Sequence, residues 1–259
     1  MHGLGPTTWR TLMRRPWAAG LFRQGIIPIL TRLSARRENG PFGVDPDMHA
    51  RGTFDFAHVR ADGGGAERLF LNMWLEVSAP IGVVYGAPPD RAGEVVRAGS
   101  IFAEHTLTRP FAAPGERRVT RLEAEGVDAV PGAAVPRVLP KAVATPPTGA
   151  RLLDEEPQRD ASPTVFGLAH TDSNQHVNSI VYLRLFEEAA IRRLHAHGVT
   201  APLLARHADL AYVKPSFAGN VTRARLRAYE HEGTWGAVGG FVPEGEPLER
   251  ATCWVHVGF

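Results

Sequence analysis

The stretch Ala169-His170-Thr171-Asp172-Ser173-Asn174-Gln175-His176-Val177-Asn178 runs directly into Ser179-Ile180-Val181-Tyr182-Leu183-Arg184-Leu185-Phe186-Glu187-Glu188. The first ten residues are mostly polar. The residues after them carry the clearest helical pattern in the chain: Ile180, Leu183, Phe186, Ala190 and Leu194 recur at steps of three and four, the spacing of one face of an α-helix. Tyr182, Leu185 and Ala189 widen that stripe, so much of this helix is expected to be covered. Asn178 or Ser179 can cap its start, and Gly198 can end it, with His195 and His197 in the last turn. A helix N-terminus presents unpaired N–H groups and the positive end of the dipole, so polar residues there can hold developing negative charge.

Working downstream, four strand-like runs follow: Ala208 to Lys214, Asn220 to Tyr229, Trp235 to Val242 and Arg250 to Val257. Turn residues at Phe217-Ala218-Gly219, Glu232-Gly233 and Glu244-Gly245-Glu246-Pro247 separate them. One long helix followed by an antiparallel set of strands predicts a helix wrapped by its own sheet.

Upstream lies a proline-rich stretch, residues 131–163, holding Pro131, Pro136, Pro140, Pro146, Pro147, Pro157 and Pro163. Its composition predicts a linker between two halves. Before it come strand-like runs at Thr53 to Arg60, Leu69 to Val77, Ile101 to Phe111 and Arg118 to Glu125, with a short helix expected over Asp90 to Arg97. Residues 6–35 read as two short helices, interrupted at Pro16 and Pro28. The resulting division is 1–130, a linker at 131–163, and 164–259 with the candidate site.

Composition narrows the function classes. Forty-four per cent hydrophobic and 22% charged residues in a chain of 259 are ordinary for a globular protein. No apolar run reaches the roughly 18 residues of a membrane span. A net charge of +2 is too small to point to nucleic acid. The single cysteine, Cys253, forbids an internal disulfide and fits a reducing, cytoplasmic setting. All but two of the 29 basic residues are arginine, the exceptions being Lys141 and Lys214. Seven of those arginines, Arg10, Arg14, Arg15, Arg23, Arg32, Arg36 and Arg37, precede the first acidic residue, Glu38. That is either a solvated basic face or a docking patch for an acidic partner or membrane surface. The chain has no Gly-x-Ser-x-Gly elbow and no phosphate loop, and His195-x-His197 lacks the further ligands of a zinc site.

The focal stretch resembles the signature of hotdog-fold thioesterases. It is most similar to the acyl-ACP thioesterase branch, which carries Asp-x-Asn-Gln-His-Val-Asn-Asn in the second of two fused hotdog domains. Here that pattern is Asp172-Ser173-Asn174-Gln175-His176-Val177-Asn178-Ser179. Asp209 to Pro215 and Gly219 also look like that family's second strand and turn. The resemblance implies an α+β double hotdog, two fused units each with a long helix wrapped by an antiparallel sheet. It implies hydrolysis of acyl-ACP or acyl-CoA thioesters without a cofactor or metal, on a carrier protein or coenzyme A as partner. A homodimer stays open, because two fused hotdogs already form an internal pseudo-dimer. In catalysis the resemblance points to Asp172 or His170 as base or (Asp172) nucleophile, Asn174 to orient water or hold the thioester oxygen, and His176 and Glu188 to tune or relay the proton. Asn178 and Tyr182 would contact substrate. Related thioesterases carry a further Asp where this chain has His170, and the plant branch has a Glu-Cys pair where this chain reads Lys214-Pro215-Ser216, so no cysteine nucleophile is at hand. A second reading is a catalytically silent hotdog that binds an acyl thioester or a partner protein. Each residue also has a plain structural role to fill: Asp172 and Asn174 suit a tight turn, and Glu188, four residues from both Arg184 and Arg192, suits an ion-pair ladder.

Overall fold

The computed structural model describes residues 4–38, 40–42, 47–82, 89–172 and 175–259. The chain divides into two compact units: residues 1–31 with 38–137, and residues 32–37 with 138–259.

In the first unit, helices α1 (Leu4–Met13) and α2 (Pro16–Arg23) lead into strand β1 (Ile27–Arg37). Pro16 stands at the first turn of α2, where its missing N–H costs nothing but where it ends the preceding helix. The helical reading of residues 24–35 is corrected here. Ile26, Ile27, Ile29 and Thr31 are β-branched and fit an extended chain better than a helix, and Pro28 falls at the second residue of the strand.

Strands β2 (His49–Arg60), β3 (Ala66–Pro80) and β4 (Val95–Thr108) form an antiparallel meander, with Phe54 opposite Met73 and Met73 opposite Ala103. Ile27–Thr31 of β1 flanks β4, where the Thr31 hydroxyl donates to Glu104 Oε1 at 3.0 Å. β5 (Ala133–Ala134) lies parallel to β2 on the other edge. One face of this sheet receives the helices: Trp17 packs edge-on against Phe56 at 5.1 Å, and Trp9 against His105 at 5.0 Å. The expected single long helix is absent from this unit among the described residues; two helices of ten and eight residues occupy its sheet face instead.

Two further expectations change. Asp90 to Arg97 is a turn and the start of β4, because Gly93 takes the left-handed conformation at φ +86° and interrupts any helix. Arg118 to Glu125 makes only one isolated bridge, Arg118 to Thr108. Its buried apolar residues, Val119 and Leu122, are three apart rather than alternate, so the segment packs without forming a ladder.

In the second unit the order across the sheet is Arg32–Arg37 of β1, then β9 (His207–Tyr212), β12 (Cys253–Gly258), β11 (Thr234–Pro243) and β10 (Val221–His231), all antiparallel. α3 (Ser179–Ala196) packs on one face through Phe186 and Tyr182 against Phe241. Tyr182, Leu183, Phe186, Ala189, Ala190 and Leu194 are its buried residues, close to the stripe read from sequence. Eighteen residues make a helix about 27 Å long.

Residues 138–163 belong to this unit; from Arg151 on they follow the free edge of β10 as short pairings, β6 (Arg151–Leu152) and β7 (Gln158–Arg159), with β8 (Thr164–Val165) continuing the line. Pro157 and Pro163 stand immediately before β7 and β8, and a residue without an N–H cannot extend a ladder. Two carboxylates hold this strap to α3. Asp154, with its side chain out of solvent, accepts from Arg193 Nε at 2.8 Å, from the Ala228 N–H at 2.8 Å and pairs with His197 at 2.9 Å. Asp160 receives both Arg192 Nε and Nη2, at 3.1 and 2.7 Å.

Candidate functional site

The polar stretch folds as a short loop between β8 and α3. Phe166 is buried and anchors its beginning, donating its N–H to Asn220 O at 3.0 Å. A 3₁₀ turn, Leu168–His170, follows. The chain then doubles back, with Thr171 bridged to Val177 and the Asp172 N–H on His176 O at 2.9 Å. In the turn itself Gln175 adopts φ +61°, a left-handed conformation that a non-glycine residue holds at some cost.

Loop and sheet are then stitched together. The Val177 N–H donates to Ser216 O at 2.8 Å, the Asn178 N–H to His170 O at 2.9 Å, and His176 forms a bridge with Phe217. Asn178 caps α3, its side-chain oxygen accepting from the Ile180 N–H at 3.0 Å. The result is a polar loop fixed to the N-terminal end of a long, buried helix, where the dipole is most positive.

Within this loop the structure brings together His170, Asp172, His176 and Asn178. His170 Nδ1 accepts from the Gly167 N–H at 3.1 Å. A neutral ring engaged that way carries its proton on Nε2, so His170 offers an N–H donor rather than a lone pair. Asp172 is exposed and accepts from the His176 N–H through Oδ1 at 3.2 Å. The His176 ring is exposed and rests edge-on against Phe217 at 5.1 Å. Asn174 lies outside the described residues, as does Ser173.

Tyr182 and Glu188 are placed differently from what their expected roles require. Tyr182 is only 3% exposed, amid Phe166, Tyr212 and Phe241 at ring distances of 5.6, 5.9 and 5.7 Å. Burial pushes its hydroxyl above the usual range, against a hydrogen bond with Ser216. It is part of the core that holds the helix start, not a surface for substrate. Tyr212 does similar work, donating to Ser179 O at 3.1 Å. Glu188 is ten residues past the cap, about 15 Å along the axis. Its carboxylate is exposed and pairs with Arg192 at 3.8 Å, so the ion-pair ladder accounts for it. Cys253 is fully buried and burial holds its thiol well above the ordinary value, which removes it as a nucleophile.

Two features escaped the sequence reading. Glu187 is half-buried, and its carboxyl is raised first by desolvation and then by neighbouring Glu188, against the opposing pull of Arg184. Its adjacency to Glu188 in the sequence gave no sign of which carboxylate faces inward. The second is an apolar rim on the loop and its neighbours: Val165, Leu168, Val213, Phe217 and Val221 are each at least 41% exposed. Val165 and Val221 pair across the strands, and Phe217 adjoins His176. Apolar residues on loops beside a polar motif were the available signal.

No protein-family model and no curated protein sequence matches this chain. Its fold does match solved structures. An acyl-ACP thioesterase from Bacteroides thetaiotaomicron superposes with a TM-score of 0.57 at 14% identity, over 99% of this chain and 88% of that one. A 12:0-ACP thioesterase from Umbellularia californica superposes with a TM-score of 0.51 at 13% identity, over 92% and 74% of the two chains. The chain therefore has the hotdog-type fold of these thioesterases along nearly its whole length. Among the described residues no helix is long and apolar enough to cross a membrane.

Proposed function

We propose that this protein hydrolyses acyl thioesters carried on an acyl carrier protein or coenzyme A. The observation that carries this reading is the polar loop of His170, Asp172 and His176 fastened to the capped start of α3, on a fold shared end to end with acyl-ACP thioesterases.

Hydrolysis requires water to add to the thioester carbonyl, an oxyanion to be held while it lasts, and a thiolate to leave. Asp172 is the candidate base, taking the proton as water attacks. His170, with its proton directed to Nε2 by the Gly167 N–H, is the candidate donor to the carbonyl oxygen or departing sulfur. This inverts the option that His170 acts as base. The N-terminal dipole of α3 adds stabilisation as charge develops on oxygen, an effect worth a few kcal/mol when donors are well aimed. His176 completes the proton path, and Asn174 orients the water. The apolar rim from Val165 to Val221 suits the alkyl part of the substrate. Arg10, Arg14, Arg15 and Arg23 of the first unit are exposed and lack an ion-pair partner among the described residues, which suits an acidic carrier. The single, buried cysteine agrees with a cytoplasmic setting.

The test is thiol release from a panel of acyl-CoA and acyl-ACP thioesters by the purified chain. Turnover that falls with Asp172→Ala and Asn174→Ala supports the assignment. No turnover on any of them, with no effect of either substitution, removes it. The second reading, a silent acyl-thioester-binding hotdog, is favoured by His170 in place of a carboxylate and by Lys214-Pro215-Ser216 in place of the Glu-Cys pair. Binding of acyl-CoA without hydrolysis, converted to hydrolysis by His170→Asp, would establish it.

A further inference from the structure

Strand β2 is an outer strand of the first unit's sheet, and only its end is covered. β5 pairs with Ala57 and His58, while residues 49–56 have no strand beyond them among the described residues. The Val135 N–H donates to His58 O at 2.9 Å, so the peptide groups of His58 point outward from the sheet. By the two-residue period of a strand those of Phe56, Phe54 and Gly52 point outward too, and Arg51, Thr53 and Asp55 bond inward to β3. The Phe56 N–H, outward and without a strand, takes Asp55 Oδ1 at 2.8 Å instead. Arg51 and Asp55 are exposed, and neither has an ion-pair partner among the described residues. An edge of this kind is a template for another strand.

The residues along this edge are complementary to themselves. Antiparallel pairing of two copies about Thr53 sets Arg51 opposite Asp55 twice, Gly52 opposite Phe54 twice, and Thr53 opposite its own copy. Arg51, Thr53 and Asp55 then fall in the non-hydrogen-bonded pairs, where Cα atoms approach to about 4.5 Å and side chains come closest. Opposite charges and paired threonines both favour a ladder at such positions. Gly52 and Phe54 form the hydrogen-bonded pairs, about four bonds in all, and each Phe54 ring meets a residue with no side chain to displace it. Other two-fold registers lose this match. An axis at Gly52 or Phe54 sets Arg51 against Thr53 or Ala57, and an axis at Arg51 or Asp55 opposes like charges.

We propose that two copies of this chain associate through the free edge of β2, antiparallel about Thr53 and independently of the proposed hydrolysis. Two cavities border the segment that pairs. One of about 440 Å³ runs along residues 50–54, with Leu12, Met73 and Leu75 in its wall. The other, of about 520 Å³, lies along residues 54–56. Its wall holds three exposed carboxylates, Asp55, Glu125 and Asp128, against the single guanidinium of Arg15. Arg51 of the second copy, opposite Asp55, brings its positive charge to this acidic cavity. Pairing stops where β5 takes the edge, at Ala57, so the ladder is short and the charge pairs set its register. A contact of the same patch with itself closes after two copies.

Sedimentation of the full chain across the micromolar range should show a monomer–dimer equilibrium. Arg51→Asp sets carboxylate against carboxylate and Asp55→Arg sets guanidinium against guanidinium, and each should raise the dimer dissociation constant about tenfold or more. An equimolar mixture of the two variants should dimerise as the parent does, because every facing pair is then opposite in sign. The chain carrying both reversals should do so alone. Both side chains are exposed, and circular dichroism checks that the variants fold. Thr53→Cys should form an interchain disulfide on mild oxidation, since the two copies of that residue face each other within disulfide reach and Cys253 is buried. A parent that stays monomeric overturns the proposal. So does a dimer that neither reversal weakens, or a mixture of the two variants that stays monomeric. Stronger association on Asp55→Ala overturns it as well, and marks that carboxylate as a guard of the edge.

Discussion

The two units build similar antiparallel sheets and cover them differently. In the second, one helix of 18 residues crosses the sheet, capped by Asn178 and preceded by a loop that carries His170, Asp172 and His176. In the first, Pro16 divides the helical segment into pieces of ten and eight residues, each with one arginine in its last turn and no acidic residue, and Arg14 and Arg15 between them. The difference teaches where chemistry can be built. A sheet of this kind accepts either covering, since both bury aromatic side chains against it. A single well-capped helix with a polar loop tied to the neighbouring strand gives an electrostatic corner; two short helices joined by a proline turn give a basic surface.

The largest effect expected from breaking that contrast is catalytic. Asp172→Ala should lower thioester turnover by about 100-fold or more, whereas Arg10→Ala with Arg14→Ala in the first unit should leave kcat within about twofold and raise KM for an acidic carrier at low salt only. Equal losses in both variants would dissolve the distinction between the units.

Next comes the clasp of α3. Asp154→Ala leaves Arg193 without its partner and the Ala228 N–H without an acceptor, and should destabilise the chain by about 3 kcal/mol, measured by denaturant unfolding at neutral pH. Burial alone would raise the Asp154 carboxyl, but Arg193, the Ala228 N–H and His197 outweigh it, and the group is held below its ordinary value of 3.8. A lowered folded value means that the stabilisation is present above about 3.8 and is lost as pH falls through the lower, folded value. The parent should therefore lose stability below pH 4 more steeply than Asp154→Ala does. Parallel acid profiles would show that the clasp contributes nothing.

Smaller effects sharpen the loop. Asn178→Ala should cost about 1 kcal/mol by removing the cap, with no such sensitivity expected at Arg15, which precedes α2 without a side-chain cap. Gln175→Gly should stabilise by a few tenths to about 1 kcal/mol by relieving the positive φ. Thermal unfolding of both variants checks the pair.

The parts that were legible beforehand were those set by local periodicity. The stripe from Ile180 to Leu194 announced α3 and its buried face, and the turns at Gly219, Gly233 and Gly245 announced the strands that follow. Residues 27–35 were expected to be helical because Pro28 could be taken as a break between two helices, whereas the β-branched residues there mark the strand. Glu187 and Glu188 could not be separated, since a neighbouring pair on a wide apolar stripe differs by 100° of rotation, and only packing says which one is inside.

Sequence alone settled the helix, two adjacent candidates for its cap, the spacing of polar groups before it and the lack of a cysteine at 214–216, because each depends on residues within a few positions of one another. Tertiary structure alone decided that Arg151–Leu152 and Gln158–Arg159 pair with β10, that Asp154 and Asp160 seize the far end of α3, that Tyr182 is core, and that His207, Tyr229 and His256 meet. Those outcomes rest on strand register and on side chains tens of residues apart, and register is set by the whole sheet rather than by any one segment.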